Sequence, residues 1–436
     1  MPQSHILRLS QEIVDEIVDY FYPEEDLWTL IALTLTCRAF VSRSQMQIFT
    51  TIKFSSDTWR PGHQGARSKR IQRFLDILYA APYIARYVRG LILTISSFDN
   101  DWVAEDAQFI RIMEVIRQSG SCIRNLTIYG WSFPEKFSDA RSLEHNFLQP
   151  FIYPFITSLK ISRMMSIPRA LLASSTNLRD LNISFSDLEP FGDDLDTYPL
   201  HFPPQLQNLE YDPPTGVIEA VINAHCDSDV PLIADLSCLR TLRTLTKREN
   251  VESLQKIVQI AKTSLEELYL LSDENQNYYS YGGSINFSDA VRLRVLNIDV
   301  VFPNSGDDPL VDLCTILNTF PIQNSMEKFD LSAYIGFYSS VGGPESCFRA
   351  DWEALDREIA RISSEKPLEF HLHMVYQVPE SDDEEESDNG NDGDIGKIGG
   401  HCRLTFERLV RERLPKIHDG SQITLTLSYH LDLSHS

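Results

Sequence analysis

The chain has 436 residues, 42% of them hydrophobic, and a formal net charge of −23 from 62 acidic against 39 Lys and Arg side chains. It is long enough for two or three domains with packed cores, and its acidic balance argues against a nucleic-acid partner, whose phosphates need a positive footprint. The seven cysteines are odd in number and scattered, with no C-x-x-C, so neither a disulfide framework nor a zinc cage is expected, and most read as small buried hydrophobes.

The stretch from Leu9 to Phe54 reads as three short amphipathic helices. In the first, Ser10 is a capping residue, and Ile13, Val14, Ile17, Val18 and Phe21 recur at helical spacing until Pro23. A second start falls at Asp26, with Leu27, Leu30, Ile31 and Leu35 on one stripe and Leu33, Cys37 and Phe40 beside it. The third spans about Arg38 to Phe49, and Thr50 to Phe54 then turn to strand alternation. A segment of roughly 40 residues rarely sustains a core alone, so these faces require cover from the rest of the chain or from a second protein.

The pattern resembles the F-box, through Leu9 with Glu12 and Ile13, Asp26-Leu27, Leu33, the run Thr36-Cys37-Arg38-Ala39-Phe40, and Phe49. The family's usual opening Leu-Pro is Leu9-Ser10 here, and its usual Trp after the Cys-Arg pair is Phe40. The resemblance implies docking on a Skp-type adaptor and, through it, a cullin. Leu9, Ile13, Ile17, Leu27, Leu33, Cys37 and Phe40 are the expected docking residues.

After a glycine-containing loop, a helix is predicted from about Lys69 to Ala80, with Ile71, Phe74, Leu75 and Leu78 inward. From Val88 onward a cassette of the form apolar-x-x-Leu-x-apolar recurs. It begins at Val88, Ile123, Ile156, Leu178, Leu206, Leu239, Leu265, Leu293 and Met326, and more weakly at Pro367, with a last strand over Ile423–Tyr429. Helices are predicted between cassettes, near Trp102–Gln118, Val217–Ala224, Val251–Lys262, Pro309–Phe320, Trp352–Ile362 and Leu404–Arg413. Units of one strand and one helix bury their apolar sides only by stacking, so the expected fold is α/β: the helical segment 1–54, a linker and helix over 55–87, and an irregular leucine-rich-repeat-like solenoid of parallel strands over 88–433. A doubly wound sheet is the alternative, and the missing glycine-rich phosphate turn speaks against it. The acidic stretch 379–400 reads as a disordered insertion, with Ser381 and Ser387 as phosphorylation candidates.

No nucleophile elbow, P-loop, H-E-x-x-H or calcium loop occurs, so no cofactor and no catalysis are expected. His371 and His373 share a strand face near His401-Cys402, the best metal case available, although an exposed polar face is the commoner meaning of that spacing. His225-Cys226 reads as a helix end. In a curved parallel sheet the polar cassette positions project from the concave face, which makes Arg124, Lys160, Arg179, Asn182, Tyr269 and Asn297 candidate contacts for a target protein, with the tyrosines at 278–281 at a rim. No opening signal segment or membrane-length apolar run is read, so a soluble cytoplasmic or nuclear protein is expected. The function these features imply is that of a non-catalytic substrate-recognition subunit of a ubiquitin ligase. The alternative is a repeat scaffold with a helical cap.

Overall fold

A computed structural model describes residues 10–56, 65–96, 101–131, 135–136, 140–188, 202–212, 216–226, 232–246, 250–272, 285–302, 308–335, 350–377 and 392–432. Leu9, the tyrosines at 278–281 and the acidic residues 379–391 with Ser381 and Ser387 lie outside the described residues. The chain divides into two compact units, Met1–Gln205 with Thr215–Asp235, and Leu206–Pro214 with Leu236–Ser436.

The first unit opens with α1 (Gln11–Asp19), α2 (Pro23–Thr36) and α3 (Arg38–Thr50), followed by β1 (Thr51–Ser55), α4 (Ala66–Ala80), a 3₁₀ turn (Pro82–Arg86) and β2 (Gly90–Ile95). Next come α5 (Trp102–Glu105), α6 (Ala107–Gln118), β3 (Asn125–Gly130), the two-residue β4 (Glu135–Lys136), and a helical stretch containing α7 (Ala140–Leu143) and α8 (Gln149–Phe151). The unit continues with β5 (Ser158–Ser162), β6 (Met164–Met165), α9 (Arg169–Ala173) and β7 (Asp180–Ser184). The second unit holds β8 (Asn208–Asp212), and α10 (Gly216–Cys226) then returns to the first. The second unit resumes with β9 (Thr241–Leu245), α11 (Val251–Ile260), β10 (Glu267–Leu271), β11 (Val295–Phe302), α12 (Pro309–Asn318), β12 (Lys328–Ile335), α13 (Trp352–Ile362), β13 (Leu368–Gln377), α14 (Asp392–Arg413), α15 (Pro415–Asp419) and β14 (Ile423–Asp432).

Within each unit the main strands are parallel and follow chain order: β1, β2, β3, β5 and β7 in the first, β8 to β14 in the second. A doubly wound sheet reverses its order at a switch point, and neither unit does so. The cassettes explain the stacking. Their first apolar residue lies two positions before the strand and is buried, as at Val88, Ile123, Ile156, Leu178, Leu206, Leu239, Leu265, Leu293 and Met326. Their second position supplies a carbonyl that receives two amides from the next cassette. Arg124 O accepts from Thr157 N (2.8 Å) and Ser158 N (3.0 Å), Arg240 O from Glu266 N (2.8 Å) and Glu267 N (2.9 Å), and Arg294 O from Glu327 N (2.8 Å) and Lys328 N (3.0 Å). The same step joins Arg89 to Arg124 and Thr157 to Arg179. Backbone groups that would otherwise be buried without partners thus hold successive cassettes in one register.

Helices cover the apolar rows. In the first unit Phe109 lies edge-on to Phe54 (5.6 Å between centroids) and Trp102 (5.1 Å). In the second, fully buried Trp352 stacks on Phe302 at 5.7 Å, and Phe329 meets Phe370 at 5.3 Å. Helix ends there are tied by side chains: Asp308 and Asp351 cap α12 and α13, and Arg361 donates to the carbonyls of Leu317 (2.7 Å) and Phe320 (2.9 Å) at the end of α12. Buried Asp356 accepts from the amides of Lys416 (3.2 Å) and Ile417 (2.9 Å), joining α13 to α15.

Several expectations are corrected. The predicted Trp102–Gln118 helix is two, because the Asp106 side chain accepts from Gln108 N and Phe109 N and starts a new helix. Residues 392–400, read as part of a disordered insertion, are helical and belong to α14. Among the described cysteines Cys37, Cys122, Cys238 and Cys314 are only half-buried and Cys226 is exposed. His225 Nε2 lies 3.1 Å from Ala234 O, a loop carbonyl.

Candidate functional site

Two surfaces carry the chemistry, one in each unit. The first belongs to α1–α3. Val14, Val18, Leu30 and Phe40 form a small core, with Phe21, Leu33, Cys37, Ala39 and Ile48 packed against it. α3 is the central element, touching α1, α2 and β1. Because Ile13 and Val14 are 100° apart around the helix, the apolar arc of α1 is wider than α3 can cover. Val14 and Val18 face inward, while Ile13 and Ile17 remain 42% and 37% exposed. α2 behaves alike: Leu30 is buried, but Leu27, Trp28 and Leu35 are exposed, Trp28 by 81% and Leu35 by 83%. Asp26 has a non-helical backbone inside α2 and its carboxylate accepts from Tyr22 N at 3.1 Å; two helical segments join there across a kink, so the start read at Asp26 stands, with one further turn before it from Pro23. Arg43 ties α3 to the end of α1. Its Nε donates to Asp19 Oδ1 at 2.6 Å, its Nη2 reaches Asp19 Oδ2, and the guanidinium holds the Asp19 carboxyl below the usual carboxylate range.

The expected docking set therefore divides. Ile13, Ile17 and Leu27 are available at the surface. Phe40 is only 7% exposed and is a core residue, and Leu33 and Cys37 pack against that core. The sequence pattern identifies apolar positions, and two-stripe helices conceal which stripe looks outward. Trp28 and Leu35, not singled out for docking, are the most exposed large apolar side chains among the described residues of α2.

The second surface is the polar face of β8–β14. Strand pairing sets one row across it: Glu210, Arg243, Tyr269, Asn297, Asp330, His371 and Thr426. The Arg243 guanidinium lies 4.6 Å over the Tyr269 ring, and Tyr269 donates to Glu267 Oε2 at 3.1 Å. Burial, and next the neighbouring Glu267 carboxylate, push the Tyr269 phenol upward. Asp330 is 6% exposed, which is unusual for a carboxylate on a polar face. Lys328 Nζ lies 2.8 Å from its Oδ2, and His371 Nδ1 lies 3.0 Å from its Oδ1 without hydrogen-bond geometry. His373, one pleat further on, meets Ser428 Oγ through Nδ1. Burial lowers the pKa of His373, against the pull of Asp330.

Of the target-contact candidates, Lys160 and Asn182 are register partners in the first unit, and Tyr269 and Asn297 are partners in the second. Arg124 and Arg179 occupy cassette turns on either side of Thr157, and both are exposed. Asp330, Lys328 and Ser428 were missed by sequence reasoning. A signal existed: the row from Glu210 to His371 is the fifth position of each cassette, so aligning cassettes by their first residue places Asp330 beside His371. The side chains of His401 and Cys402 lie outside the described residues.

No protein-family model matches the chain, and no curated protein matches it. No helix among the described residues is long and apolar enough to cross a membrane.

Proposed function

We propose that the chain is a substrate-recognition subunit of a cullin-type ubiquitin ligase, its α1–α3 segment an F-box that docks on a Skp-type adaptor and its strand array an irregular leucine-rich-repeat solenoid that holds a target protein. The observation that carries this reading is the set of apolar side chains left outside a segment that already has its own core: Ile13, Ile17, Leu27, Trp28 and Leu35 are exposed, and so is Tyr20. Burying them against a partner is worth about 1.5–3 kcal/mol for each large side chain fully covered. Trp and Tyr are also the residue types that dominate binding energy. The polar fifth-position residues, among them Lys160, Asn182, Tyr269 and Asn297, supply the target surface in this reading, and Arg124 and Arg179 flank it.

The subunit does no covalent chemistry. It raises the rate of ubiquitin transfer by holding target and ligase on one frame, so that their encounter becomes nearly intramolecular. The contacts of α3 with β1 favour a second reading, in which the helices seal the first strand of a scaffold that meets no ligase.

A pull-down of the Skp adaptor by the full chain separates the two. The variant Ile13→Asp/Leu27→Asp/Leu35→Asp is expected to stay folded by circular dichroism and to lose the adaptor. Absence of adaptor binding by the folded wild-type chain would leave the scaffold reading.

A further inference from the structure

Burial normally requires a carboxylate to have all its strong acceptor sites met. Asp330 departs from this. Its Oδ1 is buried and receives no hydrogen bond, its nearest ring nitrogen being His371 Nδ1 at 3.0 Å, while its Oδ2 is held by Lys328 at 2.8 Å. The neighbour in the same row, Asn297, also buries its Oδ1 without a donor. Opposite them stand the imidazoles of His371 and His373, with ring centroids 6.2 Å apart and planes at 85°. One carboxylate oxygen of Asp330 and one nitrogen from each ring lie within 4.8 Å of one another. Lone pairs from three side chains on two adjacent strands therefore converge on a small volume where a cation is the missing partner.

We propose that Asp330, His371 and His373 form a binding site for a divalent transition-metal ion, with zinc the ion their donors fit. Two imidazole nitrogens and one carboxylate oxygen suit zinc, whereas calcium and magnesium take oxygen ligands almost throughout. Zinc bonds of about 2.0–2.2 Å place tetrahedral ligand atoms roughly 3.4 Å apart. The three ligand atoms, which lie within 4.8 Å of one another, would close to that spacing on binding the ion. The Ser428 hydroxyl on β14 orients the His373 ring by its Nδ1, the usual role of an outer partner at a metal-bound histidine. Lys328 sits on the other carboxylate oxygen and leaves Oδ1 to the ion.

Three protein ligands leave one coordination position open. It faces the polar side of the second unit, where a water or a side chain of a bound protein completes the shell. Tyr269 and Asn297 border the site from the preceding strands of the row, and Asp299 lies one pleat away in the register of His373. The site owes nothing to the adaptor reading, since all its residues belong to the second unit.

The test uses the full chain stripped with a chelator, then titrated with Zn²⁺ by calorimetry and with Co²⁺ by visible absorption. The expected result is one ion per chain, with cobalt bands of a low-symmetry site. Asp330→Asn should weaken zinc at least tenfold, Ser428→Ala should weaken it about tenfold or more, and His371→Gln/His373→Gln should abolish binding. Absence of binding by the folded wild type overturns the proposal, as does undiminished binding by the folded double variant. Should that variant fail to fold, imidazole nitrogen spectra of the wild type decide. Zinc-induced shifts at His371 and His373 uphold the site, and shifts confined to other histidines, or none, overturn it.

Discussion

The α1–α3 segment and the polar face of β8–β14 break the ordinary inside–outside rule in opposite directions. The helices leave Trp28, Leu35 and Ile13 in water, while the hydrophobic core among their described residues is built on Val14, Val18, Leu30 and Phe40. The strands take polar groups out of water: Asp299 and Asp330 are buried on a face whose other row members, such as Glu210, Arg243, Tyr269 and Asn297, are half-exposed or exposed. The helices have surplus apolar surface because three short cylinders cannot cover one another. The strands bury carboxylates because long neighbouring side chains, Lys328 and His371 among them, stand on both sides of Asp330 in a tightly spaced sheet. An excess of exposed apolar area points to a protein partner, and a buried acceptor without a donor points to a cation.

The contrast is sharpest if inward and outward residues of the same helices are exchanged for the same charge. Phe40→Asp removes a core ring and buries a carboxylate, and should destabilise the helical segment by at least ~4 kcal/mol, read as premature proteolysis of residues 10–50 or loss of a denaturation step. Leu35→Asp should change stability by less than about 0.5 kcal/mol. Equal losses in the two variants would mean that Leu35 is covered by packing and would remove the docking argument.

In the second unit the buried-polar side of the comparison is tested by Asp356→Ala, which leaves the amides of Lys416 and Ile417 without their acceptor. Two orphaned donors cost roughly 2–4 kcal/mol, measurable as a lower urea midpoint with unchanged slope. The pair Asp19–Arg43 should matter less, because both side chains are about a third exposed. Its sign is defined: the folded-state pKa of Asp19 is depressed, so the contribution is complete above the unfolded value of about 3.9 and is lost as pH falls through the folded value. A wild-type chain whose acid unfolding is shifted by Asp19→Asn, with little change at neutral salt-rich conditions, fits that expectation. Smallest of all is Arg294→Ala. Its partner Glu327 is at 2.7 Å, but both are more than half exposed, and a thermal scan should show no measurable shift.

The periodic signals were legible because each is a local rule repeated. Leu178-Arg-Asp-Leu-Asn-Ile states which side chains enter the core, and ten such cassettes in turn demand parallel stacking in chain order. The helix ranges read near Pro309–Phe320 and Trp352–Ile362 match α12 and α13, whose starts Asp308 and Asp351 cap. The sequence by itself thus determined the alternation of strands and helices, their order and their apolar faces, since spacing along one element decides these. Tertiary structure decided whatever depends on the width of a partner surface or on neighbours across strands: that Phe40 is inside and Leu35 outside, that residues 392–400 extend α14, and that Asp330 of one cassette meets His371 of the next with a buried oxygen left over. Periodicity specifies a direction around an element, whereas burial is set by what stands opposite it.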